Sequence, residues 1–409
     1  MNYSGTERGQ ALIIIVFAIV GLIGITALAV DGGNVYLDRR EAQNAADTAA
    51  LAGALTRIRG GQNWVTKALE MAQENGYPND GVRSTVEVLS PPNSGPFAGN
   101  LEYIQVVITS NVPTYFAGIV GQDVITNRVE AVSRTKYSEL TEILKGHALI
   151  SLAPTSNCQN EVAFWVHGEA TLNLIGGGVF VNSKNSDCAL LEQGSGSLMV
   201  NGGHPINIVG GASIQKPNLV VPYPPNTGAA PVNYPPPFLP PEVKCGKAAE
   251  ISKDGETLSP GSWGGDFPPE GVLNLDSGNY CVDDFILNGR SLTGNRVTIK
   301  VDGEIRWTGS ATIDLTAPVK GDLAGLLIYM PIENNNKVAL NGGTGSKIRG
   351  TILAPGANVI INGNASGYGF HSQIVAYTID AKGDNLVNIV YNDSDNFDAF
   401  TFPEVQLSK

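Results

Sequence analysis

The chain has 409 residues, 42% of them hydrophobic, and a formal net charge of −12. That length and apolar content are enough to bury cores in two or three domains. The acidic balance argues against nucleic acid as a partner, because phosphate binding needs a basic face; it keeps an exposed domain soluble instead.

The first predicted element is an uncharged apolar run at 11–30, ALIIIVFAIVGLIGITALAV. As a helix it rises about 30 Å, the thickness of a bilayer hydrocarbon core. A buried core helix is the alternative. A cleaved signal peptide has a shorter apolar stretch, about 7–15 residues, ending at small residues. Here the run passes directly into Asp31, Gly32 and Gly33. The expectation is an uncleaved single membrane anchor at 11–30, preceded by a cytoplasmic segment at 1–10.

Beyond it, Ala42, Ala45, Ala46, Ala49, Ala50, Ala52, Gly53 and Ala54 recur at helical spacing. Alanine is the strongest helix former, and a stripe of small side chains lets another element approach closely. The stripe faces either its own domain or a second molecule. Asp31 near the start and Arg57 and Arg59 near the end suit the helix dipole.

Arg8-Gly9-Gln10 before the span, Asp31 at its end, Tyr36 with Arg39 and Arg40, and then the run QNAADTAALA at 43–52 resemble the N-terminal domain of TadG-like proteins of the Flp (Tad) pilus assembly system. The resemblance covers about the first 55 residues and continues more weakly to 138. It implies a membrane-bound component whose anchor and alanine-rich helix engage pilus assembly or secretion system proteins. Its candidate site residues are Asp31, Tyr36, Gln43, Ala46, Asp47, Ala49 and Ala50. Pilin-like relatives often carry a glycine followed by an apolar stretch with Glu at its fifth position. Counting from Gln10, that position is Ile14, so a processed pilin subunit is not expected.

The rest of the 31–138 region reads as a small α+β module. An amphipathic helix is predicted at 64–75, strands at 82–88 and 103–109, a short helix at 114–120 and a strand at 124–135. In that last strand Ile125, Val129 and Ala131 share a face with two polar residues, Asn127 and Ser133.

From about residue 146 the chain changes character. Short apolar runs alternate with N-G, D-G and G-G turns, as at 171–178, 197–203, 285–289, 297–303, 337–343 and 358–363. This is β structure, and because many runs are apolar without a polar face we expect a parallel β-solenoid, with a β-sandwich as the alternative. The fold class is therefore α+β: anchor and alanine-rich helix, small α+β module, then a large all-β region in two blocks, 146–215 and 245–400. The stretch 350–359, with Ala354-Pro355-Gly356-Ala357, followed by 374–376 and 387–391, is similar to β-helical C-terminal modules of bacterial pilus-associated and cell-surface proteins.

Between the blocks, 216–244 is dense in proline and must be extended. It either straps along the solenoid or, through Tyr223, Tyr234 and Phe238, serves as a ligand for an aromatic groove. Cys158, Cys188, Cys245 and Cys281 are disulfide candidates. Pairing of sequence neighbours gives one bridge per block, although three connectivities exist. With no C-x-x-C spacing, zinc and thiol redox chemistry are not expected, and an even count beyond the anchor fits an oxidising exterior.

Charge around the anchor points the other way. Only Arg8 and the terminal amine precede it, while Arg39, Arg40, Arg57 and Arg59 follow. Long domains translocate largely regardless of such charges. The expectation is a single-pass protein of the bacterial cytoplasmic membrane with its N-terminus in the cytoplasm and its large domain outside.

No catalytic, cofactor or metal constellation stands out. Asp283-Asp284 reads as an exposed turn, His147, His167, His204 and His371 are scattered, and 392–398 reads as a solvated turn without the glycine and final Glu of an EF-hand loop. The sequence thus points to a non-enzymatic pilus or secretion component displaying a structural or adhesive solenoid. The alternative is a tethered module that binds a surface ligand, glycan or ice.

Overall fold

The computed structural model describes residues 7–309, 312–341, 346–363, 368–384 and 386–408. Residues 1–6 of the expected cytoplasmic segment and the expected turn at Gly342-Gly343 lie outside them. The chain divides into two units, 1–139 with 402–409, and 140–401.

The first unit is built on one helix, α1 (Glu7–Ile58), which runs unbroken through Gly32 and Gly33. The side chains between Leu12 and Val30 are exposed all round, so no protein core accounts for their apolarity. Among the described residues this is the one helix long and apolar enough to cross a membrane. After it come α2 (Trp64–Glu74) and three strands, β1 (Ser84–Leu89), β2 (Tyr103–Pro113) and β3 (Val124–Lys136). They form an antiparallel sheet in the order β1-β2-β3, completed on the far side of β3 by the C-terminal strand Glu404–Leu407. The short helix expected at 114–120 is only a turn of 3₁₀ helix, Ala117–Val120. Its preceding amides are occupied by a side chain from α1, described below.

Ala42, Ala45, Ala46, Ala49, Ala50 and Ala54 are all fully buried, against Ile104, Val106 and Ile108 of β2 and Val129 and Ala131 of β3. The small stripe therefore serves its own domain. With no bulk beyond Cβ, the helix settles close to the sheet, and the larger β-branched residues of the strands fill the gap.

The second unit is a parallel solenoid with three walls. Among the described residues, ten parallel strands make the first wall. The other two belong to one larger sheet that turns a corner within long strands. Gly278–Asn288, for example, pairs with Val297–Val301 through its first half and with Ile305–Thr308 through its second. Side chains from all three walls, such as Leu172 and Leu174, Val179 and Val181, and Phe164 and Val166, fill one interior core.

The winding order is not the chain order. His147–Ser151 lies between Ile374–Gly383 and Gly178–Val181, and Leu386–Val390 pairs with Thr171–Ile175. The chain thus enters mid-stack and winds from 147 to 227 toward one end. It then crosses along the proline-rich segment to the other end near Thr257–Leu258 and winds back to meet its own beginning. One turn is assembled from both ends of the unit: Leu386–Val390 supplies the first wall, His147–Ser151 the second and Phe164–Val166 the third. The stretches expected as two β blocks are therefore one stack. Stacking them pairs two strand edges that would otherwise be open.

The outer side of the second wall is apolar as well. Ile150, Phe180, Tyr329, Leu353 and Val375 form a second core beneath Val232, Tyr234, Phe238 and Val243 of the proline-rich segment. That segment is a strap, and the wall it covers explains why so many runs lack a polar face. Disulfides join Cys158 to Cys188 and Cys245 to Cys281. The stretch 392–398 is a short turn, Asp393–Asp395, leading into Asp398–Phe400, which pairs with Leu140–Glu142.

Candidate partner site on the membrane-proximal helix

Asp31 stands one residue beyond the apolar run, nearly buried, where α1 leaves the anchor. Its Oδ1 accepts the amide of Tyr115 at 2.8 Å, and its Oδ2 those of Phe116 and Ala117 at 3.0 and 2.7 Å. The carboxylate caps the 3₁₀ turn across the unit. The Tyr115 amide first, with those of Ala117 and Phe116, holds its pKa below the ordinary carboxylate range against the opposing effect of desolvation.

Two turns further along α1, Asp38 is the hub of a polar cluster. Its Oδ1 accepts from the Tyr77 hydroxyl at 3.2 Å and its Oδ2 from Asn127 Nδ2 at 2.7 Å and from the Ser110 hydroxyl. Asn127 also donates to the Val35 carbonyl at 2.9 Å. Burial, then the Asp38 charge, pushes the Tyr77 hydroxyl well above its ordinary value. Gln43 Nε2 donates to Asp47 Oδ1 at 2.8 Å and to the Glu130 carbonyl at 3.0 Å, and the Ser133 hydroxyl donates to the Ala50 carbonyl at 2.8 Å.

These bonds account for the two polar residues on the buried face of β3: Asn127 and Ser133 reach the helix backbone. Asp38 and Tyr77, which sequence reasoning missed, carried no signal beyond their helix and post-helix positions. Of the motif residues, Ala46, Ala49 and Ala50 lie buried on the seam with the sheet, Gln43 links Asp47 to the Glu130 carbonyl of β3, and Asp31 caps the turn between β2 and β3. Tyr36 is not buried. It is 68% exposed and shares the open side of α1 with Leu37, Arg40, Asn44 and Thr48.

Residues 9–56 match the family model described as "Putative Flp pilus-assembly TadE/G-like". This segment is a TadE/G-like Flp pilus-assembly domain. Comparison with curated proteins and with solved structures gave no match. The TadE/G-like segment is nearly coextensive with α1, so the groups that receive its motif (Tyr77, Ser110, Asn127 and Ser133) all lie beyond it. Its buried face is used up within the unit, and the Tyr36 face stays exposed.

The other residues singled out from the sequence have structural places. Asp283 Oδ2 accepts the Gly265 amide and Asp284 Oδ1 the Glu304 amide, at 3.0 and 2.7 Å, within a strand where the sheet turns its corner. His147 bonds the Leu144 carbonyl and Asn207, and His167 stacks on Trp165 and bonds Asp380. No group of three or more potential metal ligands occurs among the described residues.

Proposed function

We propose that this TadE/G-like protein is a non-enzymatic, single-pass component of a Tad/Flp pilus assembly or secretion system that displays its solenoid outside the cytoplasmic membrane, where the solenoid has a structural or adhesive role. The match of residues 9–56 to the pilus-assembly family carries this reading. The uniformly exposed apolar helix supports an anchor, and two disulfides confined to the solenoid support an oxidising exterior. In this reading the N-terminus is cytoplasmic, and the exposed Tyr36 face of α1, just above the membrane, meets other assembly proteins.

The test is protease and membrane-impermeant maleimide accessibility in intact cells and spheroplasts, with and without reductant. Digestion of the solenoid in spheroplasts, with its cysteines labelled only after reduction, is the expected result. A protected solenoid with freely reactive thiols after lysis would place it in the cytoplasm and overturn the reading.

A further inference from the structure

A groove of about 560 Å³ opens on the outer surface of the third solenoid wall. Trp165 and Asp380 lie side by side on paired strands, between the inward-facing Phe164, Val166, Ile379 and Ala381, so both project outward. Tyr377 stands at the adjoining corner. Tyr234 of the strap meets it with ring centroids 5.2 Å apart and planes tilted by 59°. Glu333 enters from the loop after Leu326–Tyr329, and Glu161 from the loop tied down by the Cys158–Cys188 bridge. That second loop is further ordered by Asn157, whose Oδ1 accepts the amides of Gln159, Asn160 and Glu161 at 3.0, 2.9 and 3.1 Å.

The charges are one-sided. Asp380 is neutralised by Lys382 at 3.0 Å and also bonds His167 at 2.9 Å. Neither Glu161 nor Glu333 takes part in an ion pair among the described residues, and the basic groups nearest the groove, Lys382 and His167, are both engaged with Asp380, the His167 ring covering one face of Trp165 and leaving the other to the groove. Three aromatic rings, with electron-rich faces, therefore stand beside two carboxylates without counter-charge. An anionic ligand is repelled from such a site. A neutral saccharide could stack on the rings and donate hydroxyls to the carboxylates, of which Glu161 already accepts from Asn157 Nδ2 at 3.3 Å, but it would leave both negative charges unopposed. A lysine or arginine side chain meets both demands, its charge held over a ring within about 6 Å and its aliphatic stem laid along the aromatic surface.

We propose that this groove is a docking site for a basic polypeptide segment, taking a lysine or arginine side chain between the Trp165, Tyr234 and Tyr377 rings and the Glu161 and Glu333 carboxylates. The net charge of −12 steers such a partner toward the protein, and the groove selects its side chain. The inference rests on the solenoid alone and does not depend on the membrane topology proposed above.

The experiment uses the full chain in detergent micelles and fluorescein-labelled hexa-arginine and hexa-lysine peptides, followed by fluorescence anisotropy at physiological salt. Two double variants each remove two charges: Glu161→Gln with Glu333→Gln in the groove, and Glu256→Gln with Glu270→Gln on exposed turns outside it. Circular dichroism checks that both fold. The expected result is saturable binding that weakens at least tenfold in the groove variant and less than twofold in the other. Equal losses in both variants would reduce the effect to diffuse net charge and overturn the proposal, as would an absence of saturable binding. Cello-hexaose binding that is lost on Tyr377→Ala, with peptide binding unaffected by it, would reassign the groove to a neutral glycan.

Discussion

Replacing Ile389 by alanine tests whether the solenoid is one stack joined across the two ends of its chain. Ile389 is fully buried and sits in register between Phe370, from the same winding, and Leu174, from the segment that begins the unit. Truncating a fully buried isoleucine to alanine costs about 2–5 kcal/mol, the loss of transfer free energy plus the cavity left behind. At 1.4 kcal/mol per tenfold, even the lower figure raises the population of opened states about 30-fold. Hydrogen exchange with mass spectrometry on the full chain in micelles reads this segment by segment. Amides in Tyr368–His371 and in Thr171–Ile175 are both expected to exchange about 30-fold faster or more, because Ile389 fills the rung between them. Acceleration confined to Tyr368–His371, with Thr171–Ile175 at its original rate, would show that the two windings do not share a core and would refute the joined stack.

Two further outcomes concern the helix seat. Asp31 has a depressed folded pKa, so its contribution is fully present above its ordinary value near 3.8 and is lost as pH falls through the lower folded value. Exchange at the Tyr115, Phe116 and Ala117 amides should therefore lose protection in acid below about pH 4, and Asp31→Asn should remove that pH dependence. Ser133→Ala deletes the bond to the Ala50 carbonyl in a fully buried position and should lower the stability of the first unit by about 1 kcal/mol in chemical denaturation, with the helix content of the native state unchanged.

Much of the first unit was legible in the residues. The apolar run at 11–30 reads as a helix long enough to cross a bilayer, and the alanine spacing gives the buried face of α1. Alternation and helical periodicity placed β1, β2, β3 and α2 within a few residues. At 114–120 the local pattern suggested a helix; a single 3₁₀ turn forms, its leading amides capped by the Asp31 carboxylate and its end closed by Gly121 in the left-handed conformation. The polar positions Asn127 and Ser133 looked like faults in a buried strand face because their acceptors lie on α1, at sequence separations of 92 and 83.

In the solenoid, turn residues and short apolar runs sufficed for the β class, since they act within a few neighbours. The evenness of the cysteines and the stiffness of the proline-rich segment are likewise local properties. Which coil lies on which is a different kind of information. Asn173 bonds Asn388 across 215 residues, and nothing in either segment's periodicity marks the other as its neighbour. That pairing follows from satisfying open strand edges and closing a shared core, which depends on every coil at once. The same holds for the alanine stripe: the sequence made it a close-packing face, and only the sheet, completed by a strand from the far C-terminus, decided what it packs against.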